Sequence, residues 1–163
     1  MRKDRLLKEW EHDPYFEGKK FPEGVFCPDC GAVYVSGRWT WPSGEVEAAA
    51  EHLCPACRRI RDDYPAGELI LSGNYLLEHR EEILNLVQNI VEEERERSPL
   101  KRLMKMEERE DGLRLTFTDD HLARRIGEAL YRAHKGELDF NYSEGDRFIR
   151  ILWRRNMLSL IHI

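Results

Sequence analysis

Two short segments of this sequence carry residue types suited to metal chemistry: Cys27-Pro28-Asp29-Cys30 and Cys54-Pro55-Ala56-Cys57. Two residues between cysteines let both thiolates reach one tetrahedral ion, and Gly31 after the first pair permits the tight turn such a knuckle needs. The stretch between the pairs, Gly31 to Leu53, is slightly longer than the commonest ribbon spacing but accommodates a hairpin. The pattern predicts one zinc ion on Cys27, Cys30, Cys54 and Cys57, with a redox dithiol or another metal as the alternative. Four thiolates fill the tetrahedron and leave no position for water or substrate, so the ion is expected to be structural.

Other candidates for chemistry have simpler readings. His52 stands two residues before Cys54 and is read as a neighbour of the site rather than a ligand, because four cysteines suffice. His12, His79, His121 and His134 have no metal-ligand spacing. Asp119, Asp120 and His121 could serve an enzyme if they met Asp62 or Asp63 in a pocket, but an N-cap explains the two aspartates with less machinery. No G-x-S-x-G, glycine-rich phosphate loop or H-E-x-x-H occurs. The chain is therefore expected not to be an enzyme and to have no small-molecule substrate.

Arg58, Arg59 and Arg61 follow the last cysteine directly. They either balance the negative charge of a tetrathiolate centre or contact phosphates on RNA. Arg124 and Arg125, with Arg150 and Arg154 of the last strand, are the further candidates for nucleic-acid contact. The net charge of −5 argues against bulk attraction to polyanions, so any such footprint has to be local. Trp39 and Trp41 could stack on bases, but a small zinc module also needs bulky residues to cover its core, and that reading is preferred.

The elements that must position these residues follow from the pattern of apolar positions. The chain has 163 residues, 41% hydrophobic and 35% charged, which allows one domain or two small ones with limited apolar material. Residues 1–24 read as a charged arm containing Trp10 and Tyr15, and residues 25–72 as the four-cysteine zinc module. Short strands are expected at Val33–Val35 and Arg38–Trp41, then a turn at Pro42-Ser43-Gly44 and a helix from Cys57 to before Pro65. Residues 73–98 read as a connecting helix, with Leu76, Ile83, Leu84, Val87, Ile90 and Val91 on one stripe and Ser98-Pro99 as its stop. Residues 99–155 read as a ββαββ antiparallel-sheet domain: a hairpin on Asp111-Gly112, a helix capped by Asp119 or Asp120, and two strands around Glu144-Gly145-Asp146. That helix is expected to bury Leu122, Ile126, Leu130 and Ala133. The tail 156–163 ends in a stretch resembling translated adapter sequence and is set aside from the functional argument, with one more strand or a short helix as the alternative reading. The fold class is thus α+β: zinc-knuckle module, long connecting helix, ββαββ domain.

Several of these segments together resemble a known group. Cys27 through Tyr34, Gly37-Arg38-Trp39, Cys54 through Ile60, Tyr64-Pro65-Ala66-Gly67 and Leu122 through Leu130 are similar to a set of small bacterial zinc-binding proteins. That set is itself similar to the zinc-binding region of the nuclear export adaptor of the large ribosomal subunit. The resemblance covers roughly residues 10–155, with the knuckles and Asp111-Gly112-Leu113 as its most specific points. It implies a non-catalytic adaptor associated with RNA or the ribosome. Only the four cysteines carry over as ligands; this chain has two knuckles instead of several and lacks the long C-terminal region, so nuclear export is not implied.

The expected function is a non-enzymatic zinc-binding adaptor on RNA or a ribosomal particle, with a zinc-stabilised protein–protein or regulatory module as the alternative. No apolar run reaches the roughly 20 residues a membrane span needs, and the opening residues do not form a secretory signal, so a cytoplasmic location is expected.

Overall fold

The computed structural model describes residues 24–43, 50–143, 145 and 147–157. Most of the N-terminal arm, Gly44 of the predicted turn, Glu144, Asp146 and tail residues 158–163 lie outside the described residues.

The cysteine segment forms a small four-stranded sheet, ordered β3-β2-β1-β4, from β1 (Val25–Phe26), β2 (Val33–Val35), β3 (Arg38–Thr40) and β4 (Ala50–Glu51). Helix α1 (Pro55–Asp62) follows it. The helix starts at Pro55, earlier than expected, because the Cys54 thiol acts as N-cap and accepts from Cys57 N at 3.4 Å, while proline fits the first helical turn, where an N–H would go unused.

A second, five-stranded sheet holds the larger core. Its order is β6-β7-β5-β9-β8, from β5 (Gly67–Ser72), β6 (Leu103–Arg109), β7 (Gly112–Phe117), β8 (Glu137–Tyr142) and β9 (Ile149–Arg154). The expected ββαββ unit does not close on itself. β5, grouped with the cysteine module on sequence, lies between β7 and β9, antiparallel to the first and parallel to the second, so the sheet is mixed rather than antiparallel. β5 and β6 run the same way with β7 between them, which makes β5, α2 and β6 a split βαβ unit.

Helices α2 (Asn74–Arg97) and α3 (Asp120–His134) cover one face of this sheet. Leu69 and Leu71 of β5, Leu113, Leu115 and Phe117 of β7, and Ile149, Ile151 and Trp153 of β9 point into a shared core with Ile83, Val87, Leu122, Ile126 and Leu130 of the helices. The α3 stripe differs from expectation in one place: Ala133 is exposed, and Ala123, Gly127 and Ala129 are buried instead. The small residues let α3 lie close to the strands, since a Cβ on Gly127 would meet Ile151 at 3.0 Å. α2 kinks at His79, whose backbone leaves helical values. Asn156 joins the start of α2 by accepting from Asn74 N, so the tail's first residues are tied to the fold. No helix among the described residues is long and apolar enough to cross a membrane.

Candidate metal centre

Strand pairing explains why two distant cysteine pairs meet. β1 runs into Cys27 and β4 runs towards Cys54, and the two strands pair in parallel, Val25 with Ala50 and Phe26 with Glu51. Parallel neighbours end at the same side of a sheet, so both knuckles are delivered to one place. The first knuckle closes through Gly31 N donating to Cys27 O and Cys27 N donating to Ala32 O, with Gly31 at φ +86, where a side chain would be strained. The second opens α1, and a sulfur there feels the free N–H groups and the positive end of the helix dipole.

The Sγ atoms of Cys27, Cys30, Cys54 and Cys57 all lie within 4.8 Å of one another. Cys30 and Cys54 sulfurs are 3.8 Å apart and all four cysteines are free, so the pairs are not joined as disulfides. A tetrahedron of 2.3 Å metal–sulfur bonds has an edge of about 3.8 Å, which matches that separation. Cys27, Cys54 and Cys57 are buried and Cys30 partly so. The four residues could therefore hold one metal ion. Around them Val25, Ala32, Tyr34, Trp39 and Ala56 make a compact core, with Tyr34 edge-on to Trp39.

Without a cation, the sulfurs compete for protons. The Cys54 thiol, hydrogen-bonded to Cys30, brings the Cys30 pKa down to about 5 against burial, and the same contact, with burial, raises Cys54. Burial pushes Cys57 up to about 11, although Arg102 pulls the other way. Crowded, desolvated thiols resist joint ionisation, and a divalent ion supplies the charge that reverses this.

Arg102 is the residue that sequence reading missed. It is 8% exposed and lies in the segment just before β6, yet its Nη2 donates to Cys57 Sγ at 3.0 Å and to Cys54 Sγ at 3.4 Å. Burial alone would lower its pKa; the sulfurs more than offset this, above all Cys57, and hold it charged. Leu100-Lys101-Arg102-Leu103 reads like any surface cation, so no local signal marks it.

The predicted nucleic-acid arginines do not form one surface. Arg59 is buried and donates to Tyr64 O, and Arg61 pairs with Asp29 of the first knuckle. Arg58 lies partly buried on α1. Arg124 lies over the Phe140 ring and bonds Glu128 and Tyr142, while Arg125 holds Glu93 and Glu94 of α2. Arg150 grips the buried Glu68 together with Arg114, and Arg154 is exposed four residues further along β9. Arg124 and Arg125 belong to the helical layer, whereas Arg150 and Arg154 alternate with the core-facing Ile149, Ile151 and Trp153 and so occupy the opposite sheet face.

The remaining candidates also take partners within the chain. Trp39 is in the module core with the His52 ring stacked near it, and Trp41 donates from Nε1 to Arg95 O. Asp119 caps α3 by accepting from Leu122 N, Asp120 and His121 bond Arg147, and Asp63 pairs with Lys105. Two surface cavities, one lined by Trp41, Glu92, Arg95 and Glu96 and one by Arg102 with residues of α1, α2 and β6, do not bring a nucleophile to a base. No protein-family model, curated protein or solved structure matches the chain.

Proposed function

We propose that Cys27, Cys30, Cys54 and Cys57 hold one structural zinc ion, and that the protein is a non-enzymatic adaptor built on that centre. The observation that carries this is the mutual approach of four sulfurs to within 4.8 Å, from two turns that strand pairing brings to one side. Four soft thiolates at tetrahedral spacing suit zinc, which has no redox chemistry of its own, and a filled coordination shell leaves the ion no catalytic task. Metal analysis of the purified full chain is expected to give one zinc per chain, lost on Cys54→Ser with Cys57→Ser. Iron in its place, or no metal after reconstitution under reducing conditions, would refute the assignment.

The partner implied by the resemblance of the knuckles is RNA or a ribosomal particle. A second reading, a zinc-stabilised protein-interaction module, draws on the arginines: Arg59, Arg61, Arg124, Arg125 and Arg150 each have acceptors within the chain. An RNA adaptor should co-sediment with ribosomal particles in a salt-sensitive way and leave them on nuclease treatment. Salt-insensitive, nuclease-resistant association supports the protein reading, and absence from ribosomal fractions at low salt refutes the first.

A further inference from the structure

We propose that Arg102 is the built-in counter-ion of the metal centre, and that through it the occupied centre fastens the cysteine module to the larger sheet. This rests on the zinc reading above. Four thiolates and a divalent ion leave two net negative charges in a buried place, and an uncompensated buried charge is costly. Of the arginines that follow Cys57 in sequence, Arg59 donates to Tyr64 O and Arg61 to Asp29. Arg102 stands 45 and 48 positions beyond the two sulfurs it touches.

What makes this a fastening is the other end of the residue. Arg102 N donates to Thr118 Oγ1 at 2.8 Å, Thr118 N donates to Arg102 O at 2.9 Å, and the Thr118 hydroxyl donates to Leu100 O at 2.7 Å. Thr118 immediately precedes Asp119, the N-cap of α3. Leu100 packs on the metal-side core. One continuous path therefore leads from the sulfurs of Cys54 and Cys57 through Arg102 and Thr118 to the first turn of α3. When the sulfurs are ionised on a metal, the guanidinium donates to thiolates and both bonds are charge-assisted. When the metal leaves, nothing gathers the sulfurs against the guanidinium, and the contact between the two modules loosens. Arg102 is thus a positioning residue: it orients two ligands and ties them to the sheet.

The test uses the full chain with zinc, and with cobalt(II) as a spectroscopic probe of the sulfurs. Arg102→Met keeps length and removes charge; Arg102→Lys restores charge without the planar fork. For Arg102→Met, chelator competition is expected to show zinc affinity reduced about 10- to 100-fold, as for other outer partners of metal ligands. Its thiolate-to-cobalt charge-transfer band is expected at lower energy, because sulfur lone pairs without donors lie higher; Arg102→Lys should recover part of both. Affinity within about twofold of the parent, with an unmoved band, overturns the proposal. Should Arg102→Met not fold, amide exchange of the parent chain decides. Zinc removal is expected to speed exchange at Arg102 and Thr118, and unchanged exchange there overturns the fastening. A parent chain that takes up no zinc refutes the metal reading itself, whereas one zinc per chain with an indifferent Arg102 refutes only this inference.

Discussion

Replacing Glu68 by Gln removes one charge and almost no volume from the middle strand of the larger sheet. Glu68 is 3% exposed and accepts from Arg114 Nε at 2.6 Å and from Arg150 Nε. A hydrogen bond to a charged group contributes about 1.5–3 kcal/mol. The Arg150 side chain is 56% exposed, so its share is reduced by solvent, while Arg114 at 27% keeps more. Glu68→Gln should therefore cost about 2–3 kcal/mol and lower Tm by roughly 5–10 °C in a chain of this size. Burial alone would raise the Glu68 pKa, but Arg150 and Arg114 more than offset it and hold it below the ordinary value of 4.5. Because the folded-state pKa is depressed, this stabilisation is full above the unfolded-state pKa and is lost as pH falls through the folded one. Calorimetry of parent and Glu68→Gln with zinc in excess should show a Tm gap that is constant near neutrality and closes in acid. A gap under about 1 °C, or one as wide at about pH 3 as at neutrality, would refute the reasoning. A double-mutant cycle with Arg150→Met should return a coupling of about 1 kcal/mol. That coupling measures how far Arg150 serves the fold rather than a polyanion.

Chelation of the metal should strip amide protection from β1 to β3 and α1 while β5, β7 and β9 keep theirs, because structural zinc contributes on the order of 10–16 kcal/mol and the larger sheet has its own core; equal loss at Leu69 and Ile151 would contradict the two-core picture. Gly112→Ala should lower stability by about 3 kcal/mol or more in urea titrations, since a Cβ there would lie 1.7 Å from Leu71 O. Gly145→Ala, at φ +92 but with open space around it, should cost only about 1–2 kcal/mol, and equal costs would show that the contact is not the cause.

Much of the secondary structure was legible because local pattern decides it. The Asp111-Gly112 turn, the Asp119 cap, the stripe from Leu76 to Val91 and the alternation through Leu113, Leu115 and Phe117 each state their element within a few residues. β5 was not legible in the same way. Gly67 to Ser72 is six residues long, and its Leu69-Ile70-Leu71 run, set between Ala66-Gly67 and Ser72-Gly73, fits a buried strand without saying which sheet it joins. The His79 kink leaves no proline or glycine as a sign, and Tyr75 stacked on the His79 ring is visible only once the helix is folded.

The cysteine spacing by itself determined that this chain has four candidate ligands for one ion, since two residues between thiols is a local geometric condition that sequence states outright. Tertiary structure decided the rest. It brought the pairs together through the parallel β1–β4 contact, drew Arg102 from a distant segment onto two sulfurs, and divided the arginines between opposite sides of a sheet. Charge is felt through space rather than along the chain, so neighbours in sequence such as Arg59 and Arg61 could take Tyr64 and Asp29 as acceptors while a residue more than forty positions away met the sulfurs.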